Sequence, residues 1–134
     1  MKPTILIALA ATLAAVNFAS AQESKLPAAS TKENLTYATD IKPLFDANCA
    51  KCHSGDKPKA HLKLDTLEGI LKGNKWGPGV KAGDATNSIV VKAIAHQTKD
   101  HDGWMPPIPN KAGAKTLTPE QIGLVIGWVN QGAK

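Results

Sequence analysis

The chain has 134 residues, two cysteines and a formal net charge of +5, a length that allows one domain and leaves no room for a second core. Every one of its 16 basic residues is a lysine, so the guanidinium forks of nucleic-acid readers are missing, and its few aromatic residues form no clustered stacking platform. Nucleic acid is thereby excluded as a partner, whereas a lysine surface suits transient docking to acidic proteins.

Residues 1–21 read as a signal peptide: Lys2 is the positive start, Ile5 to Phe18 the apolar stretch, and Ala19-Ser20-Ala21 a small-x-small processing site. The apolar stretch is shorter than the ~20 residues that span a bilayer. The expectation is therefore an exported, periplasmic protein with no membrane span once the signal is removed. Residues 22–36 carry Ser, Ala, Lys and Thr without an apolar period and read as a flexible leader. Residues 37–134 make the domain.

From Thr39 a helical pattern begins, with Thr39 as cap, Pro43 in the first turn and Ile41, Leu44, Phe45 and Asn48 at helical spacing. That helix delivers the chain into Cys49. A second helix is expected from Thr66 to Lys72, with Leu67, Ile70 and Leu71 inward and Gly73 as terminator. Asn87 and Ser88 open a third, striped by Ile89, Val90, Ala93 and Ile94. The last runs from Pro119 to Gln131: Thr118-Pro119-Glu120-Gln121 combines a capping box with proline at the first helical position, and Ile122, Val125, Ile126 and Val129 repeat at i, i+3, i+4, i+7. Gly73 to Gly83 and Asp100 to Ala114 are glycine- and proline-rich connections, and no alternating apolar run marks a strand. The fold class is all-α, with about four short helices and long loops. Such loops in a small domain need a body to pack on, which a cofactor supplies.

The only two cysteines stand in Cys49-Ala50-Lys51-Cys52-His53, the attachment pattern of c-type haem. Two residues between the thiols set both sulfurs against one porphyrin edge as thioethers, and the next position points the His53 imidazole at the iron. A disulfide or a thioredoxin-like redox pair shares the spacing, but the latter needs a βαβ setting that is missing here. A zinc site needs two more ligands, and His61, His96 and His101 form no paired motif. For the second axial position the candidate is Met105, the one methionine left after Met1, held in Trp104-Met105-Pro106-Pro107 by prolines that stiffen the backbone. An apolar loop anchor is the plain alternative for Met105, and His101 or His96 the alternative ligands. Phe45, Leu62, Leu64, Leu67, Ile70, Leu71, Ile94 and Pro106 are candidates to cover the porphyrin, with Trp76 or Trp104 beside a propionate.

The pentapeptide, Met105 and the closing amphipathic helix together resemble a class I c-type cytochrome. More narrowly, Tyr37 to Phe45, Leu62 to Gly69, Gly77-Pro78, Gly83-Asp84, Ser88, Met105-Pro106-Pro107 and Leu117 to Gln121 resemble the planctomycete-type cytochrome c domain, over Tyr37 to Ala133. The resemblance implies one covalent haem c, first and last helices crossing beside it, and Met105 as distal ligand. With both axial positions occupied no substrate can bind, so the expected function is a one-electron carrier and not an enzyme; the lysines point to protein redox partners with acidic docking surfaces, and a monomer is expected. A haem-based gas sensor and a peroxidase are the competing functions; either needs an open distal face.

Overall fold

The computed structural model describes residues 25–134; the expected signal peptide and the first residues of the leader lie outside the described residues. All regular structure there is helical: α1 (Lys42–Asn48), α2 (Leu67–Lys72), α3 (Ile89–Ile94) and α4 (Pro119–Asn130). A π-turn, Tyr37–Ile41, runs into α1, and single 3-10 turns lie at Lys59–His61, Ala85–Asn87 and His101–Gly103. No described helix is long and apolar enough to cross a membrane.

Local chemistry explains the starts and stops. Thr118 Oγ accepts from the Gln121 N–H while the Gln121 side chain accepts from the Thr118 N–H, which closes the expected capping box on α4. Thr66 caps α2 by accepting from the Gly69 N–H, and Gly73 ends it at φ +70. An added Cβ at Gly73 would lie 1.9 Å from the Gly77 carbonyl oxygen, so only glycine fits that end. At the first helix the cap is Thr36, not Thr39: Thr36 accepts from the Thr39 N–H, and the Thr36 N–H donates to Asp40 Oδ2 at 3.0 Å. The reciprocal bond to Asp40 favours the earlier threonine, because it satisfies two backbone donors where Thr39 alone would satisfy one.

The core gathers Ile41 and Phe45 from the first helical segment, Ile70, Val80, Val90, Val91 and Ile94 from the middle, and Val125, Trp128 and Val129 from α4. Tyr37 and Trp128 meet with ring centroids 6.1 Å apart, so α4 packs on the π-turn at the head of α1. Trp128 Nε1 and the Tyr37 N–H both donate to Lys134 O, at 2.9 and 2.6 Å. Leu71 and Ile89, expected inward, are exposed.

Residues 28–36, placed in a flexible leader from sequence, run along α4. The Ser30 N–H donates to Gly123 O at 2.8 Å, and Gln131 accepts from the Leu35 N–H and donates to Lys32 O. Leu35 is buried, and Lys32 forms an ion pair with Asp40. Together with the Thr36 and Thr39 donors, Lys32 holds the Asp40 carboxyl well below its ordinary range. The close approach is possible because Gly123 and Gly127, one helical turn apart, present bare backbone to this segment.

Candidate functional site

The pentapeptide is a tight helical turn. Cys49 O accepts from the N–H groups of both Cys52 and His53, at 3.1 and 3.0 Å, and Phe45 O accepts from Cys49 and Ala50. Cys49, Cys52 and His53 therefore share the side that faces a cavity of ≈ 680 Å³. Both thiols are free, and burial pushes Cys49 up to about 11. That is the opposite of the depressed thiol pKa of redox-exchange pairs.

A loop behind the turn holds the histidine. The Lys59 N–H donates to Cys52 O and the Leu64 N–H to His53 O, both at 2.8 Å, which brings Leu62 O to 3.2 Å from His53 Nδ1. A carbonyl only accepts, so Nδ1 carries the proton and Nε2 keeps a free lone pair. Burial lowers the His53 pKa, which keeps the ring in the neutral, ligating form. Sequence reasoning missed Leu62 O, since a backbone acceptor has no residue signature.

Met105 lines the same cavity. Its N–H donates to Ala93 O of α3 at 3.0 Å, and its carbonyl lies 3.2 Å from His96 Nε2. Neither His96 nor His101 lines the cavity; both rings pack on Trp104. Among the described residues no group of three or more His, Cys, Asp or Glu side chains is arranged to hold a metal ion.

Leu62, Leu64, Val90, Ala93, Ile94, Pro106 and Leu117 make the walls, with Trp76 and Ile89 at the surface. Ala93, Ile89, Val90 and Leu117 were not foreseen as lining. Phe45, Leu67, Ile70 and Leu71, foreseen as porphyrin cover, do not line it; Phe45 and Ile70 belong to the core instead. The volume falls within the ~300–1,000 Å³ of small-molecule and cofactor sites, and the apolar walls with one imidazole and one thioether match what a porphyrin and its iron require. The Trp104 indole N–H is buried without an acceptor, and the indole packs against His96 and His101 and does not line the cavity.

Residues 49–108 match the family model described as Planctomycete cytochrome C. The matched span takes in the pentapeptide, the loop behind His53, α2, α3 and Met105. Over that span the chain is similar to a c-type cytochrome domain, a kind of domain that carries haem c. No curated protein and no solved structure matches the chain.

Proposed function

We propose that the chain is a one-electron carrier of the planctomycete cytochrome c kind, exported to the periplasm and holding one haem c with His53 and Met105 as axial ligands. The observation that carries this reading is that Cys49, Cys52, His53 and Met105 line one apolar cavity. Cys49 and Cys52 would hold the porphyrin through thioethers. When bound, haem c supplies an iron that takes up and gives back one electron.

The protein's own part is to fix the ligands and exclude water. His53 offers Nε2 because Leu62 O holds the proton on Nδ1, and this hydrogen bond also raises the basicity of the ring. Apolar walls disfavour the more highly charged oxidised centre, and a thioether ligand does the same. A high potential for haem follows. Held by both His53 and Met105, the haem would keep no open position for a substrate, and the protein would act as a carrier and not as an enzyme.

The mouth of the cavity supplies the docking surface. Lys99 and Lys115 line it together with Asp100 and Asp102, so the positive excess comes from beside it: Lys51 Nζ donates to Ala112 O, and Lys75 lies 4.6 Å from the ring centroid of the exposed Trp76. Acidic protein partners fit this face, and a monomer leaves it free.

The test is optical and electrochemical. The oxidised protein should show a sulfur-to-iron charge-transfer band, and Met105→Ala should abolish it, lower the potential and let the reduced protein bind carbon monoxide. If Met105→Ala keeps the parent spectrum while His101→Ala or His96→Ala changes it, the distal ligand is a histidine and the carrier of high potential is ruled out.

A further inference from the structure

Met105 reaches the cavity from a loop, and a loop side chain is held only as well as its backbone is. The Met105 N–H is tied to Ala93 O of α3; its carbonyl is tied to His96 Nε2 at 3.2 Å. Since that carbonyl can only accept, Nε2 is the protonated nitrogen of His96. The His96 backbone sits at φ +55, a left-handed conformation that costs free energy for any residue with a Cβ. Its ring lies flat on the Trp104 indole, centroids 4.9 Å apart and planes 4° from parallel. The His101 ring packs on the same indole at 4.0 Å, tilted by 39°. Backbone strain at His96, a stacked ring and a hydrogen bond to the neighbour of the cavity wall thus converge on one atom, Met105 O.

We infer that His96 is the positioning residue for Met105: stacked on Trp104, it donates to the Met105 carbonyl and so aims the thioether into the cavity. The inference rests on Met105 being the distal ligand. Neither imidazole lines the cavity, so His96 acts through the methionine and does not touch the cofactor. The bond to Ala93 holds the peptide on one side of Met105, and the bond from His96 holds the carbonyl on the other. Without it the thioether spends part of its time away from the iron, and external ligands gain that share of access.

Two substitutions separate this role from a merely structural one. His96→Asn suits the left-handed backbone but its amide is too short to reach the carbonyl; His96→Gln carries a donor at about the reach of Nε2. In haem-loaded, exported protein, His96→Asn should weaken the charge-transfer band and bind carbon monoxide about five- to tenfold more readily, the effect of losing one hydrogen bond. His96→Gln should restore both most of the way. Full band and unchanged carbon monoxide binding in His96→Asn overturns the inference, as does His96→Gln behaving like His96→Asn. A parent protein without the band, or one indifferent to Met105→Ala, would instead overturn the ligand assignment beneath it.

Discussion

Replacing Gly123 by alanine decides whether residues 28–36 belong to the folded domain. In a helix interior this exchange stabilises by about 1 kcal/mol, because alanine gives up less backbone entropy. Here the added Cβ would stand 2.4 Å from the Ala28 carbonyl oxygen, a backbone atom that cannot rotate away. Overpacking of this kind costs ~1–3 kcal/mol, and displacing the segment also loses the Ser30 to Gly123 hydrogen bond at about 1 kcal/mol. The costs outweigh the helix gain and leave a net destabilisation of about 1–3 kcal/mol. Urea denaturation followed by circular dichroism measures it. In a chain lacking residues 22–30 the clash is gone, so the same substitution should become stabilising by about 1 kcal/mol. A full-length Gly123→Ala protein more stable than its parent would refute the packing of this segment on α4.

Tyr37 is the only tyrosine, and burial, reinforced by the charges of Asp46 and Asp65, pushes its phenol from 10.0 up to about 12. The folded state then keeps a proton that the unfolded chain releases, so this stability is complete below pH 10 and is lost as pH rises towards about 12; a phenolate absorbance step at the ordinary tyrosine pH in folded protein would contradict it. Thioether attachment predicts that the exported protein keeps its pigment on a denaturing gel, and that Cys49→Ser with Cys52→Ser does not; colour lost from the parent on denaturation rules out covalent haem. Lysines at the cavity mouth predict that electron transfer to an acidic partner slows as salt shortens the ~10 Å screening length, and a rate flat in ionic strength would mean they only solubilise.

The parts of the fold that side chains announce were legible in the sequence. Thr118 and Gln121 cap α4 with the bonds their spacing implies, and α2 occupies the expected stretch with Thr66 outside it as cap. Features made by backbone atoms were not legible. Leu62 O behind His53, the bare faces of Gly123 and Gly127, and Met105 O beneath His96 carry no residue code, yet they orient the candidate ligands and seat the residues before Tyr37. Apolar letters also do not say which of two adjoining apolar bodies they serve. Phe45 and Ile70 serve the core alone, while Leu64 serves both core and cavity and Leu62 lines the cavity where it packs on the core.

All residues lining the cavity fall between Asn48 and Leu117, in one uninterrupted stretch. The elements at either side of that stretch are clasped to each other, Leu35 to Gln131, Tyr37 to Lys134, Ser30 to Gly123. The domain is thus built like a purse, with its contents in the pouch and its closure made from the two flanks of the chain. Changes that retune the cofactor's surroundings are confined to the pouch, and an exchange of that stretch for its counterpart from a related chain keeps the clasp. Its seam with the clasp includes the Gly83 N–H on Val129 O, the Ala85 N–H on Asn130, Tyr37 OH on Leu64 O, Lys42 Nζ on Asp65 O, and the apolar side chains of α3 against α4. A chimera that preserves those contacts carries the donor's cavity on this protein's frame.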